Sequence, residues 1–188
     1  MRCIVGIDVS YTGLGYTKRS LKSLLPKIFP QTIHLIRADF AEGIGNLFRA
    51  GIFDGVTAGL SISYAEHWNP VTKNWDNHAY MQLLRDIFAL LRDGGSFIFS
   101  SNVPNYNFSL LALKSWRQIF LTWKMPLALA VTSIMLAQSF WLRDCARKGR
   151  FHYLPADDIV RCLYAVGFKK VQYELTYARQ AWVFVAIK

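Results

Sequence analysis

Two carboxylates stand where acids of α/β proteins meet nucleotides. Asp8 ends the apolar run Cys3-Ile4-Val5-Gly6-Ile7, and Asp39 ends the run Thr32 to Ala38. In open α/β sheets ligands bind beyond the carboxyl ends of the strands, and an acid there grips a ribose. A third run, Phe53 to Leu60, closes on Ala58, Gly59 and Leu60, where small side chains let a ligand reach the backbone. The loop after it, Ser61 to His78, carries Tyr64, Glu66, His67, Trp68, Asn69, Trp75 and His78. His67 is the candidate general base, because imidazole titrates near neutral pH; a plain surface-loop histidine is the alternative. Tyr64, Trp68 and Trp75 read as an aromatic wall for a substrate or as ordinary packing. His34 lies within a strand and His78 and His152 have no special support. Asp54 begins its run and reads as a structural pair or cap.

These residues need rigid supports. Thr17 to Leu25 reads as a helix with Leu21, Leu24 and Leu25 on its apolar face, ended by Pro26 and Pro30. Ala79 to Leu91 repeats apolar residues at three-four spacing (Met81, Leu84, Ile87, Phe88, Leu91) and closes at Arg92-Asp93-Gly94-Gly95. Ser96 to Ser100 is a fourth strand, and Asn102, just beyond it, is a candidate substrate contact. Asp157 and Asp158 open a helix that Gly167 ends. Lys170 to Thr176 and Trp182 to Ile187, joined by Tyr177 to Gln180, predict a terminal β-hairpin.

Composition bounds the rest. The chain has 188 residues, 53% hydrophobic and 18% charged, enough for one domain with a sizeable core. Three cysteines, an odd count without paired metal spacing, fit a reducing compartment, and no metal is expected. The start lacks a signal-peptide pattern, so a cytoplasmic protein is expected. Net charge is +10. Much of it lies between Leu111 and Arg150, where seven basic residues face one acid, Asp144. A basic cluster suits an anionic surface or ligand, or is a solvated helix face. The predicted helices of Leu110 to Lys148 contain an uncharged stretch, Met125 to Leu142, of 18 residues, near the lower limit for a membrane span. Pro126, Thr132, Ser133, Gln138 and Ser139 interrupt it, and it lies between pieces of one sheet. A buried or interfacial helix pair is therefore expected.

In order and spacing these pieces resemble a class I S-adenosylmethionine-dependent methyltransferase over nearly the whole chain. Val5-Gly6-Ile7-Asp8-Val9-Ser10 resembles the second strand, Ala38-Asp39-Phe40 the end of the third, Phe53-Asp54-Gly55-Val56 the fourth, Leu90 to Ser96 the turn before the fifth, and Ala165-Val166-Gly167-Phe168 with the hairpin the C-terminal end. The resemblance implies a Rossmann-like, doubly wound α/β sheet with a C-terminal antiparallel hairpin. It implies S-adenosyl-L-methionine as cofactor, held at Asp8 and Val9, at Asp39 and Phe40, and by Ala58, Gly59 and Leu60. The acceptor then enters by Tyr64, Trp68 and Asn102. One departure is large. The family's glycine-rich loop places glycines two, four and six after an acid; here those positions are Ser10, Thr12 and Leu14. The first, central strand and its loop are thus expected to be missing, the chain being N-terminally incomplete or its sheet rearranged.

The leading expectation is methyl transfer to a small-molecule or lipid-like acceptor, with 111–150 meeting an anionic membrane surface. A nucleic-acid methyltransferase fits the charge, but the loop after Ala58 lacks an Asn/Asp-Pro-Pro-Tyr motif. A non-catalytic remnant of the fold fits the missing loop.

Overall fold

Alternation of apolar residues builds the larger sheet. In β6 (Leu91–Asn102) Phe97 and Phe99 are buried while Ile98 between them is 40% exposed. Phe184 and Ala186 of β8 (Ala181–Ile187) face the same buried side. The phenyl rings stack, Phe97 on Phe99 at 4.5 Å and Phe99 on Phe184 at 5.0 Å. β3 (Phe53–Ala58) pairs parallel with β6, β8 antiparallel with β6, and β7 (Lys170–Thr176) antiparallel with β8. The order is β3-β6-β8-β7. The computed structural model describes residues 3–24, 32–105, 125–176 and 179–188.

Two helices cover the buried face. α2 (His78–Leu90) contributes Leu83, Leu84, Ile87 and Leu90, and α4 (Ala156–Val166) contributes Ile159 and Leu163. Each such side chain contributes about 1.5–3 kcal/mol when buried. Gly167 ends α4 at φ +119°, and a Cβ there would stand 3.0 Å from the Phe88 ring. Glycine thus serves both the left-handed turn and the close packing.

β1 (Ile4–Asp8) pairs in parallel with β2 (Ile33–Arg37), from Ile4 opposite Ile33 to Asp8 opposite Arg37. These two strands form a sheet of their own. Among the described residues no ladder joins β1 to β3. Between them lies an apolar slot of about 300 Å³, lined by Val5 and Ile7, by Val56 and Ala58, and by Leu83 and Ile87 of α2. One edge of β1 and one of β3 face this slot, and strand edges carry unpaired backbone groups.

Local differences from the sequence reading have physical causes. α1 runs Tyr11–Leu24, a turn and a half earlier than expected, because Ser10 caps it: the Gly13 N–H donates to Ser10 Oγ at 3.1 Å. Gly13 and Gly15 hide that first turn from a propensity reading. β3 stops at Ala58, and β6 takes in the expected Gly-Gly turn, with Gly94 at φ +75° and an irregular register between Phe53 and Gly55. The expected loop Ser61 to His78 contains a hairpin of β4 (His67–Asn69) and β5 (Asn74–Asp76). α3 (Met125–Arg147) is one helix; no described helix is long and apolar enough to cross a membrane. The helix end at Leu25 to Pro30, residues 110–124 and the turn residues Tyr177 and Ala178 lie outside the described residues.

Candidate active site

The β4–β5 hairpin puts His67 directly opposite Asp76. Its chemistry is mirrored in sequence: His67-Trp68-Asn69 runs out and Asn74-Trp75-Asp76 runs back. The Trp68 and Trp75 rings meet edge to face at 5.2 Å, a cross-strand pair that holds the register. Asn69 Oδ1 accepts from the N–H groups of Val71 and Thr72 at 3.0 and 3.2 Å, and Lys73 takes the left-handed conformation at φ +50°. Those bonds close the turn.

His67 Nδ1 lies 2.7 Å from Asp76 Oδ1. Asp76 is held on all sides. The His78 N–H donates to Oδ1 at 3.0 Å, and Asn69 Nδ2 donates to Oδ2 at 3.1 Å. The His78 N–H holds the Asp76 carboxyl below the usual carboxylate range, against the opposing effect of burial, with the His67 ring and Asn69 adding smaller effects in the same direction as His78. A charged Asp76 places the His67 proton on Nδ1 and leaves Nε2 as the basic atom. The His67 side chain is 40% exposed, open to an acceptor.

A second segment braces the hairpin. Arg150 pairs with Glu66, beside His67, through both guanidinium and carboxylate atoms. Its guanidinium carbon also lies 5.2 Å from the Trp75 ring and 5.5 Å from Phe151. The His152 N–H donates to the Ser63 carbonyl at 2.8 Å. Tyr64 Oη and Tyr153 Oη are 2.7 Å apart, and Tyr64 meets Phe151 edge to face. The His152 ring stacks on Tyr80 at 4.9 Å, and its Nδ1 is buried with no partner among the described residues. Burial pushes its pKa down, against nearby backbone carbonyls of Asp76 and Ser63.

The two strand-end acids share one geometry. The Ser10 N–H donates to Asp8 Oδ1 at 2.7 Å, and the Ala41 N–H donates to Asp39 Oδ1 at 2.9 Å. Each acid caps the turn behind it with one oxygen. A Cβ at Gly13 would stand 2.7 Å from Asp8 Oδ2, so glycine keeps that second oxygen clear. Val9 is half exposed, and its carbonyl accepts from Arg37 Nε at 3.2 Å. Phe40 and Ala58 line the same slot from its two sides. A Cβ at Gly59 would meet nothing within 4 Å. Leu60 holds φ +53°, its N–H donating to Ser100 Oγ at 2.9 Å, a conformation costing about 1–3 kcal/mol and concentrated at functional sites. Trp68 is half exposed at the hairpin; Asn102 is buried at the end of β6, where Ser101 Oγ lies 2.8 Å from Ser63 Oγ. Asp54 pairs with Arg92 at 2.7 Å, the structural part expected of it.

The sequence reading missed Asp76, Arg150, Arg37 and Tyr153. The mirrored His-Trp-Asn and Asn-Trp-Asp triplets were the available signal for Asp76. Arg37 stands 4.5 Å over the Tyr11 ring beside Asp8, reached only through strand pairing. Among the described residues no cluster of acids, histidines and cysteines could hold a metal.

No family model matches the sequence. No curated protein matches it either. Solved structures do match the fold. One is a Bordetella parapertussis protein named as a possible exported protein, at 19% identity and TM-score 0.60, covering 99% of this chain and 53% of that one. A candidate O-methyltransferase of Nostoc punctiforme gives 18% identity and TM-score 0.58, covering 99% and 45%. The trans-methyltransferase CalH, in complex with S-adenosylhomocysteine, gives 14% identity and TM-score 0.57, covering 99% and 43%. The chain thus spans about half the length of these structures. At such identities the likeness shows the fold, a mixed α/β, Rossmann-like architecture of the kind found in class I S-adenosylmethionine-dependent methyltransferases.

Proposed function

We propose that this protein transfers a methyl group from S-adenosylmethionine to a small-molecule or lipid-like acceptor, with His67 as general base. The observation that carries the reading is the His67–Asp76 pair at 2.7 Å, on a hairpin that follows β3 of a methyltransferase-like fold. The residues present fit part of the cofactor. Asp8 keeps Oδ2 clear for a ribose hydroxyl, Asp39 offers an acceptor to the adenine amino group, Phe40 offers an apolar ring, and Gly59 leaves open space for the methionine half. When bound, the cofactor supplies a methyl already activated as a sulfonium. What remains for this chain is to orient the acceptor and take its proton. Asp76 fixes the His67 tautomer, Nε2 receives the proton, and the imidazolium is stabilised by the adjacent carboxylate. Trp68 and Tyr64 would flank the acceptor, and Asn102 would bound the far side.

We propose also that the slot between β1 and β3 is where a central strand and its glycine-rich loop belong, which would join the two parts of the cofactor site. In-frame coding sequence upstream of Met1 with such a loop supports this; a stop codon directly upstream counts against it. The divided sheet favours one competing reading, a fold that no longer binds the cofactor. Incubation with methyl-labelled S-adenosylmethionine and a panel of hydroxyl, amine and lipid acceptors tests the catalytic reading. Label transfer lost in His67→Ala supports it. Transfer unchanged in that variant removes His67 from the mechanism.

A further inference from the structure

Among its described side chains, α3 buries one side and exposes the other. Leu142, Cys145 and Ala146 pack with Phe151, Tyr153 and Tyr64. Around the rest of the helix, large apolar side chains stand in water: Ile134 and Phe140 are each 60% exposed, Trp141 53% and Leu136 36%. Leu136, Phe140, Arg143 and Arg147 follow one another at spacings of three and four, so they form one stripe. The stripe is apolar toward the middle of the helix and cationic at its C-terminal end. Arg143 has no ion pair among the described residues, while Asp144 is already engaged by Lys148 at 2.5 Å and Arg147 at 3.7 Å. Trp141 is part anchored, 5.7 Å from the Phe151 ring, and part exposed, the arrangement of an interfacial tryptophan.

An isolated exposed leucine means little, but Leu136 and Phe140 on one side of the helix, with Ile134 and Trp141 seven residues apart beside them, leave apolar surface that wants a cover. Charge complementarity chooses the cover. Arg143, with Arg147 and Lys148 beside it, calls for an anionic partner, and the apolar stripe above calls for one with an apolar interior. A nucleic acid supplies the first and not the second. We propose that α3 docks on an anionic phospholipid surface, with Leu136, Phe140 and Trp141 in the headgroup–acyl boundary and Arg143 and Arg147 on the lipid phosphates. The helix lies on the bilayer and does not span it. This goes beyond the catalytic reading and does not depend on it.

Flotation of the whole protein with vesicles tests it, comparing phosphatidylcholine alone with phosphatidylcholine containing phosphatidylglycerol. The protein is expected to float with the anionic vesicles at low salt and to be released by high salt. Removing a basic side chain should cost about fivefold in partitioning and Arg143→Gln with Arg147→Gln together roughly 25-fold. Phe140→Ser should abolish flotation although it leaves the charge pattern at Arg143 and Arg147 intact. All these side chains are exposed, and circular dichroism checks that each variant folds. As a second readout, anionic vesicles should blue-shift the fluorescence of the wild type and not of Trp141→Phe. Absence of flotation at low salt overturns the proposal. So does flotation unaffected by both sets of variants. A concentration-dependent dimer lost in Phe140→Ser, without vesicle binding, would assign the patch to a second copy instead. Binding to duplex DNA that is insensitive to Phe140→Ser, without vesicle binding, would assign it to nucleic acid.

Discussion

His67 becomes a candidate base through what surrounds it rather than through its residue type. Nδ1 is committed to Asp76 at 2.7 Å, and Asp76 is committed in turn to the His78 N–H and to Asn69. On this account His67→Ala lowers turnover by about a hundred- to ten-thousandfold and leaves cofactor affinity unchanged, checked by steady-state kinetics beside a binding titration. Asp76→Asn should cost activity in the same direction, since the amide no longer fixes the tautomer. His67 was visible in the sequence as a histidine in an aromatic loop. Asp76 was not, because eight residues of chain lie between the two and only the turn at Pro70 to Lys73 brings them opposite. His152 yields a pH prediction. Its pKa is lowered by burial, so the folded state favours the neutral ring and binds fewer protons than the unfolded chain. Its contribution to stability is present above the ordinary histidine value of about 6.5 and is lost as pH falls from there through the depressed value. Denaturant midpoints measured from neutral pH downward should decline in that window, and His152→Phe should flatten the decline while keeping the stack on Tyr80.

Among elements, the strands and the long helices were legible because period-two and three-four patterns are written directly in the residues. Ser96 to Ser100 falls inside β6, which starts five residues earlier at Leu91, and Ala79 to Leu91 matches α2 within a residue. The short elements were not. The β4 and β5 strands are three residues each, below the length at which alternation carries a signal, and their stability comes from the tryptophan pair and from Arg150 across the chain. Asp86 of α2 is another long-range tie that periodicity does not show. It is buried and accepts from the N–H groups of Ile44 and Gly45 at 2.7 and 2.9 Å and from Gln82 Nε2 at 2.8 Å. It fixes the loop that follows Asp39 against the helix. Asp86→Ala should destabilise the protein by about 1–3 kcal/mol through the donors left unpaired, read as a drop in denaturant midpoint. The same variant should loosen Asp39 and Phe40, so the adenine end of the proposed site should weaken with it.

At the scale of the molecule the sheet is in two parts. β3-β6-β8-β7 carries the stacked phenylalanines and both core helices, whereas β1-β2 is a pair with one edge on an apolar slot. Two-stranded sheets are marginal alone. Hydrogen exchange should therefore find the amides of β1 and β2 opening well before those of β6 and β8; equal protection across both sheets would contradict this. The resemblance to the methyltransferases was readable from the order of the strand-end acids and the terminal hairpin, since these follow from topology. What the two strand edges facing the slot do was not readable, because it depends on pairing rather than on pattern. The proposed cofactor site spans this divide, with Asp8 and Asp39 on one side and Ala58 to Leu60 on the other. The most direct test of the account is a calorimetric titration of the protein with S-adenosylhomocysteine, repeated with Asp8→Asn, which keeps the acceptor for the Ser10 N–H. The account predicts saturable binding that weakens by about ten- to a hundredfold in Asp8→Asn, the scale of lost hydrogen bonds to a charged carboxylate. No saturable binding up to millimolar ligand, or equal binding by both proteins, would contradict it.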